Sequence, residues 1–441
     1  MIDINVTPLR DGFAASQKSE LYFLVTCGST VQQLDTEKRQ NLDLSFVVDR
    51  SGSMDGKPLD CIKHAIAHLV DQLKPQDKIS VVQYDHDAQT IFPRNNLKNR
   101  DNLRHSLATM YARGATNILN GWYKGFEEFG RVDSRDSIKR ILLFSDGMAN
   151  RGATNPSEFA PFIKEGLKLG ITTSTYGIAH HFNEELMTFV SEIGAGRSVY
   201  AETADDLINP MIEELDLLKS LVAKELAARV RSSNGVTIEV LNDYSQNSNG
   251  DYVLSDLAIG GQVWMLIKVS VDNLKDCIRV KDKIKLFDLN LSYWNVLTSN
   301  QEAKTQSAWI KLVRSEEFAN LSKNEMVQQR LNEVLVSYEQ RKAYEAAKRE
   351  DWDSVNNSLK IMEDLSRADP WLSQSTENLR AQHSKGNRAG FMKEAMYKSN
   401  HLRKRMVPQY PKAESSNAFF SDDQDNHLPS YLRRKTQEGK R

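Results

Sequence analysis

The sequence predicts an α/β protein: a doubly wound, mainly parallel sheet inserted in or flanked by a β-sandwich, with a C-terminal α-helical region. Three observations predict this class. Between residues 41 and 224, apolar strand-like runs alternate with segments of helical periodicity, the pattern of a parallel sheet with crossover helices. Short β-rich runs bounded by turn residues occupy 1–40 and 225–308 on either side. Residues 309–407 are predicted to be helical, because 316–365 is rich in Glu, Lys, Gln and Ala at helical spacing and a further helical pattern follows.

The flanking segments are expected to build one β-sandwich together. Residues 21–25 are too apolar for an exposed tail and need a partner sheet. That sheet is expected after the central domain, so the central domain is an insertion. The predicted flanking strands are 2–8, 20–27, 228–230, 236–240, 252–254, 263–269 and 285–293.

Within the central domain each element follows from its pattern. Leu59, Ile62 and Ile66 have helical spacing, and Lys74-Pro75 ends that helix. The predicted strands are 42–48, 79–84, a short edge strand at 90–92, 141–144, 170–177 and 198–201. The predicted helices are 59–73, 102–110, 118–129, 156–169 and 184–193.

A set of oxygen-bearing side chains follows the first central strand. Asp49, Ser51 and Ser53 occupy alternate positions directly after the apolar run 42–48, and Gly52 lets the chain turn tightly between them. A carboxylate and two hydroxyls are hard oxygen ligands, which suit Mg²⁺ or Mn²⁺ better than zinc or copper. On its own, this short pattern is equally typical of turn residues and helix caps.

Two later segments complete the set. Thr116 lies in a short loop after Gly114, and Asp146 follows the apolar strand 141–144. Both carboxylates therefore lie at the carboxyl ends of strands, where open parallel sheets bind ligands. We predict that Asp49, Ser51, Ser53, Thr116 and Asp146 form one metal site.

These residues resemble the metal-ion-dependent adhesion site of the von Willebrand factor type A domain, also called the integrin I-like domain. The family pattern is D-x-S-x-S, then a Thr, then an Asp, and all of its positions are matched here. The resemblance covers about residues 41–221 and is to the bacterial intracellular type of this domain.

The resemblance implies how the site would work. Ser51, Ser53 and at times Thr116 would bind the cation directly, whereas Asp49 and Asp146 would act largely through water and through hydrogen bonds to the hydroxyls. The expected cation is Mg²⁺, with Mn²⁺ or Ca²⁺ as alternatives. An Asp or Glu of a protein partner would complete its coordination. A second interpretation is that the metal only stabilises these loops.

Composition excludes some classes of function. Lys and Arg total 58 and Asp and Glu total 59 in 441 residues, so the basic footprint of a nucleic-acid-binding protein is missing. No apolar stretch is long enough to span a bilayer, and the N-terminus does not resemble a signal peptide. The three cysteines are far apart, which favours a reducing compartment. We expect a cytoplasmic protein.

The C-terminal region predicts helices and then a tail. A helix pair is expected within 316–365 and a further helix over 387–405, whose basic end is interpreted as a solvated, dipole-stabilised terminus. Residues 408–441 are expected to be disordered. The aromatic and apolar residues in that tail could dock onto a partner or onto the protein itself; they are Phe419, Phe420, Tyr431 and Leu432.

The sequence offers little support for catalysis. His180 and His181 lack the H-E-x-x-H spacing of a zinc hydrolase. An aspartyl nucleophile of the phosphatase type needs a second carboxylate at the position that Ser51 occupies. No histidine base accompanies Ser51 or Ser53 in the motif. We therefore predict a non-enzymatic adaptor or scaffold. The alternative is a substrate-delivery subunit for a separate AAA+ ATPase, of the MoxR or chelatase type.

Overall fold

A computed structural model describes most of the chain. The described residues are 2–14, 20–29, 39–98, 100–130, 135–146, 151–178, 183–201, 203–271, 283–408 and 429–430. The predictions for His180, His181 and the tail residues Phe419, Phe420, Tyr431 and Leu432 fall outside these ranges. Among the described residues, no helix is both long and apolar enough to cross a membrane.

The strands and helices are numbered in chain order. The strands are β1 Ile2–Pro8, β2 Phe13–Ala14, β3 Leu21–Ser29, β4 Asn41–Asp49, β5 Lys78–Tyr84, β6 Ala88–Asn96, β7 Ser137–Ser145, β8 Ile171–Ile178, β9 Ala195–Ala201, β10 Leu221–Ser232, β11 Val236–Val240, β12 Tyr252–Val253, β13 Leu257–Ala258, β14 Gly261–Val271, β15 Lys283–Asn295, β16 Asn300–Val313 and β17 Val407–Pro408. The helices are α1 Lys57–Asp71, α2 Arg100–Ala108, α3 Ile118–Glu127, α4 Pro156–Lys168, α5 Glu184–Ile193, α6 Ile208–Lys219, α7 Ser315–Ala319, α8 Glu325–Lys348, α9 Trp352–Ser366, α10 Pro370–Ser384 and α11 Arg388–Lys404.

The chain divides into two compact units. The flanking unit comprises Met1–Gln33, Leu221–Ala381 and Lys398–Arg434. The central unit comprises the described residues of Leu34–Ser220 and Gln382–Tyr397. Both units therefore draw on segments that are distant in the sequence.

The central unit contains a six-stranded sheet in the order β6-β5-β4-β7-β8-β9. All neighbours pair in parallel except β6, which is antiparallel to β5 at the edge. The chain moves outward from β4 to β6 on one side and then from β7 to β9 on the other. Strand order therefore reverses between β4 and β7, which is where open α/β sheets bind ligands.

Helices cover both faces of this sheet. Ile141 and Leu143 on β7 join the core that α3, α4 and α5 build with Trp122, Phe159 and other apolar residues. Alternate residues of a strand point to opposite faces. Accordingly, Arg140 on β7 meets Glu214 of α6 on the other face. The predicted doubly wound α/β sheet is confirmed.

The basic pair before the core of β7 differs from its sequence interpretation. Because Lys139 and Arg140 directly precede the predicted strand 141–144, the sequence predicts a solvated entry to that strand, but both residues are buried within β7. Arg140 Nη1 lies 2.6 Å from Glu214 Oε1, and the hydroxyl of Ser174 donates to the same oxygen at 2.7 Å. The interpretation is wrong because a buried charge is tolerated when it is paired and hydrogen-bonded.

The flanking unit contains two sheets. One has the order β1-β3-β14-β11, with β17 added to β14, and the other has the order β12-β10-β15-β16-β2, with β13 added to β10. Phe23 on β3 meets Phe287 on β15 edge to face, with ring centroids 5.6 Å apart, so the sheets pack against each other. The β-sandwich in the predicted fold class is therefore present. Strand β3 pairs with β1 on one side and with β14 on the other.

The C-terminal part of the chain differs from the prediction in three respects. Helices α8 and α9 form the expected pair, whereas α10 and strand β16 are not predicted from the sequence. The basic end of α11 was interpreted as solvated, and this is wrong. Arg403 Nη1 lies 2.7 Å from Asp243 Oδ2, and Arg405 Nη2 lies 3.0 Å from Glu333 Oε1. Both arginines are buried, and the ion pairs account for their burial.

Candidate metal centre

The candidate site lies at the point where strand order reverses. Asp49 is the last residue of β4, and Asp146 directly follows β7. Val48 pairs with Phe144 in the parallel register of these strands, so the two carboxylates leave neighbouring strands at the same edge. The apolar runs that predicted the strands thus also position the acids.

The turn after β4 brings the hydroxyls together. The Ser51 backbone N–H donates to Asp49 Oδ1 at 2.8 Å, and a short 3-10 turn follows over Gly52–Met54. Ser51 Oγ and Ser53 Oγ are 3.2 Å apart, and Ser53 Oγ donates to Asp146 Oδ1 at 2.8 Å. Four of the five predicted residues are therefore connected by direct hydrogen bonds.

Thr116 lies in a loop that borders this turn. The Gly52 N–H donates to Gly114 O at 3.2 Å, and the Asn117 N–H donates to Asp85 O at 2.8 Å. Gly114 has a φ of +77°, and a Cβ there would lie 2.9 Å from His86 Nδ1, so the close approach of this loop requires glycine. Thr116 is buried at the loop's inner side.

Asp49 is a carboxylate in a dry position. It is fully buried, and Ser145 Oγ donates to its Oδ2 at 2.8 Å. Burial raises the pKa of Asp49 to about 7, and the charge of Asp146 acts in the same direction against the hydrogen bonds from Ser51 and Ser145. Burial therefore outweighs these hydrogen bonds, and it disfavours the ionised form of Asp49.

The donor set fits a hard divalent cation. Two hydroxyl oxygens 3.2 Å apart approach the separation of about 3 Å between neighbouring ligands of octahedral Mg²⁺, whose bonds are about 2.1 Å long. A cation there would also stabilise the ionised form of Asp49, which burial disfavours. Within the described parts of the chain, no three His, Cys, Asp or Glu side chains form a metal-binding group, so any site here depends on the hydroxyls. The assignment of these five residues as metal ligands stays a prediction.

A charged rim beside the turn was missed by the sequence analysis. Asp85 is fully buried, and its Oδ2 lies 2.8 Å from Arg50 Nε and 2.9 Å from Arg113 Nε. Its Oδ1 lies 2.9 Å from His86 Nδ1. Tyr111 is exposed, and the Arg50 guanidinium lies 5.6 Å from the centre of its ring. One sequence feature pointed here, because Asp85 directly follows the predicted strand 79–84, as Asp49 directly follows the predicted strand 42–48.

The pKa of Asp85 is shifted in the opposite direction to that of Asp49. Burial alone would raise it, but the Asp87 N–H and the two arginines outweigh burial, so the pKa of Asp85 is lowered. Asp85 therefore stays ionised and holds both arginines at this edge of the sheet.

Comparison with known proteins identifies the family that the central unit resembles. A family model described as the von Willebrand factor type A domain matches residues 43–213. The uncharacterized protein YfbK of Escherichia coli (strain K12) is 24% identical over 282 residues, which are 61% of this chain and 47% of that protein. The chain thus spans about half the length of this curated relative.

Solved structures agree over more of the chain. A von Willebrand factor type A protein from Catenulispora acidiphila superimposes with a TM-score of 0.71 at 16% identity, covering 91% of this chain and 96% of that one. The ArnB paralog VWA2 from Sulfolobus acidocaldarius gives 0.62 at 15% identity, covering 91% and 98%. At these identities the likeness shows the fold alone. Together with the family match, it shows that residues 43–213 of this chain are a von Willebrand factor type A domain.

Proposed function

We propose that this protein is an adaptor that captures an acidic side chain of a protein partner through a divalent cation. Ser51, Ser53 and Thr116 would hold the cation, and Asp49 and Asp146 would orient the hydroxyls and accept from water bound to the metal. The observation that carries the proposal is the hydrogen bond from Ser53 Oγ to Asp146 Oδ1, since it joins the turn after β4 to the end of β7. Mg²⁺ is the proposed ion, with Mn²⁺ or Ca²⁺ as alternatives.

The chemistry of the donors favours a partner carboxylate. Neutral hydroxyl ligands neutralise little of the charge of a cation. The bound ion would therefore bind an anionic oxygen ligand, such as a carboxylate, strongly. Ser53 is exposed, whereas Asp49 is buried beneath it, so an incoming ligand would meet the hydroxyl side of the site. The rim adds two arginines against the single carboxylate of Asp85.

We infer an interaction role rather than a catalytic one. Among the described residues, the hydroxyl of Ser53 donates to Asp146 and that of Ser51 contacts Ser53, so neither has there the histidine partner that would activate a nucleophile. The type A domain itself is typical of proteins that bind other proteins. We further propose a reducing, cytoplasmic setting, consistent with the buried, unpaired thiol of Cys27.

Metal binding is tested first, on the full chain. Isothermal titration of the metal-free protein with Mn²⁺ and with Mg²⁺ is expected to show one site in the wild type. Asp49→Asn and Asp146→Asn should each weaken it at least tenfold, which is about 1.4 kcal/mol. Asp55→Asn is the matched control, because Asp55 is exposed directly after the motif and should leave binding unchanged. Equal metal binding by all four proteins would contradict the site.

Partner binding is tested next. Proteins retained from a native lysate in Mg²⁺ are compared with those retained in EDTA and by Asp49→Asn, using mass spectrometry. We expect a partner that is lost in both controls and whose acidic-to-amide variants also fail to bind. If that partner is an AAA+ ATPase, the protein is a delivery subunit of such a machine. Partners that persist in both controls would mean that the metal only supports the loops.

A further inference from the structure

We propose that the rim beside the metal site is a second subsite, in which Arg113 and Tyr111 bind a second acidic side chain of the same partner segment. The inference rests on the function proposed above and names the class of ligand: a segment carrying two nearby carboxylates. The first would reach the cation and the second would reach Arg113.

Backbone hydrogen bonds place Arg113 directly alongside the metal-binding turn. The Arg113 N–H donates to Arg50 O at 2.6 Å, and the Gly52 N–H donates to Gly114 O at 3.2 Å. These two backbone hydrogen bonds hold residues 50–52 and residues 113–114 side by side. A ligand segment bound at Ser51 and Ser53 therefore lies within reach of residues on the neighbouring stretch.

The charges of Arg50, Asp85 and Arg113 do not cancel within this group. The nearby carboxylate of Asp87 pairs with His86 instead. One buried carboxylate, Asp85, faces two guanidinium groups. The Arg50 side chain is only 4% exposed, so its charge is committed to Asp85, whereas the Arg113 side chain is 45% exposed. The group of Arg50, Asp85 and Arg113 thus carries one excess positive charge, and Arg113 presents it to solvent. A guanidinium has five N–H donors in a planar fork, so Arg113 can hold Asp85 and still bind another carboxylate.

The ring of Tyr111 would form one side of the subsite. Its side chain is 59% exposed although it is large and aromatic, and Arg50 covers one side at 5.6 Å from the ring centre. Exposed tyrosines whose rings are held in place are favourable contact residues because little side-chain entropy is lost on binding. The ring would pack against the ligand backbone between the two acids.

The test uses synthetic peptides of Gly and Ser that carry one Glu, two adjacent Glu, or two Glu separated by one residue. Binding to the full-length protein is measured by fluorescence anisotropy in Mn²⁺ and in EDTA. We expect a two-Glu peptide to bind the wild type about tenfold more tightly than the one-Glu peptide, as for one charge-assisted hydrogen-bonded pair.

Variants separate recognition from support of the loop. Arg113→Gln should abolish the two-Glu preference, leave one-Glu binding unchanged and leave the Mn²⁺ affinity measured by calorimetry unchanged. Arg113→Lys should retain part of the preference, and Tyr111→Ala should weaken both peptides. Arg104→Gln is the matched control, since Arg104 is 46% exposed and is also ion-paired, to Asp71 and Asp101, but on α2.

The outcomes distinguish this inference from the proposed function. Metal-dependent binding of all peptides with equal affinity would overturn the second subsite and leave the metal site standing. An equal loss for one-Glu and two-Glu peptides in Arg113→Gln, or a loss of Mn²⁺ binding in that variant, would assign Arg113 a structural role and overturn the inference. Binding that is the same in EDTA would overturn both proposals.

Discussion

At the scale of single residues, the carboxylate of Asp85 organises the edge of the central sheet. It is fully buried and lies within 2.9 Å of both Arg50 and Arg113. Removing a buried partner leaves the remaining charge without compensation, which costs more than the pair contributes. The Asp85 carboxylate therefore holds the rim, and its backbone carbonyl accepts from the Asn117 N–H on the loop that carries Thr116.

Asp85→Asn is expected to lower the free energy of unfolding by about 3 kcal/mol at neutral pH, because Arg50 stays buried without its counter-ion. The pKa of Asp85 is lowered in the folded protein, so its stabilising contribution is complete above the unfolded value near 3.8. That contribution disappears as the pH falls through the folded pKa. The difference between wild type and variant in urea unfolding should thus be constant from pH 7 to pH 5 and shrink below about pH 4.

Asp87→Asn is the control for this experiment. The Asp87 side chain is 75% exposed and pairs with His86 at the surface, so its loss should change stability by less than about 0.5 kcal/mol. A penalty for Asp85→Asn that stays constant down to pH 3 would show that the ion pairs do not carry it.

Individual residues were predictable where one local pattern was sufficient. Asp49, Ser51 and Ser53 stand out because a buried strand, a tight turn and three oxygen ligands occur within a few residues. The Asp85 cluster was missed because its partners come from two other loops. Such side-chain pairs produce no periodic pattern in the sequence. Arg140 and Arg403 were misjudged for the same reason, since their acidic partners lie 74 and 160 residues away.

At the scale of elements, helix α3 packs on the sheet through its glycines. A Cβ at Gly121 would lie 2.5 Å from the ring of Tyr84, and one at Gly125 would press against Val47. Tyr84 cannot easily move aside, since it is buried and its hydroxyl donates to Phe144 O at 2.9 Å. Helix α3 therefore approaches β4 and β5 more closely than any side chain at positions 121 and 125 would allow.

Gly121→Ala should lower the free energy of unfolding by about 1–3 kcal/mol, since overpacking a rigid core is destabilising. Intrinsic helix propensity argues the other way, because alanine is favoured over glycine by about 1 kcal/mol within a helix. Urea unfolding of the two proteins decides between these effects. Glu127→Ala, at an exposed position of the same helix, should be near neutral. A Gly121→Ala variant as stable as wild type would mean that the helix can shift outward without cost.

Whole elements were predictable where periodicity was long and unambiguous, as in β1 and α5. The predicted strand at 141–144 was too short, because charged Lys139 and Arg140 interrupt the apolar run although they continue β7. Strand β16 was missed because its first half is exposed or half-buried and mostly polar. Helix α6 was missed for a related reason: it buries Glu213 and Glu214 among its apolar residues, which obscures the pattern.

At the scale of the whole molecule, each unit is completed by a segment far from it in the sequence. Strand β3 lies between β1 and β14 in the flanking unit, although the central unit separates it from β14 in the chain. In the central unit, Tyr397 joins the core that contains Trp122 and stacks on Tyr200 at 5.8 Å. The family match ends at residue 213 and does not include that contribution.

Two side-chain substitutions test these long-range contributions. Phe23→Ala removes a buried ring that contacts Phe287, and Tyr397→Ala removes a buried ring that contacts Tyr200. Each should cost about 3 kcal/mol, as is typical of deleting a buried aromatic side chain. Hydrogen exchange of the full chain should locate the effects: faster exchange in β14 and β15 for Phe23→Ala, and in β8 and β9 for Tyr397→Ala.

The controls are Trp309→Ala in the flanking unit and Tyr111→Ala in the central unit, because both rings are at least half exposed and should leave exchange unchanged. The informative result is whether exchange becomes faster in strands that precede or follow the mutated residue in the sequence. Phe23 precedes the central unit yet should protect strands that follow it, and Tyr397 follows the sandwich strands yet should protect strands that precede them. If Phe23→Ala changed exchange only in β1 and β3, the first strands would be dispensable to the sheet containing β14. In that case the central domain would follow a separate N-terminal element rather than being inserted into the sandwich.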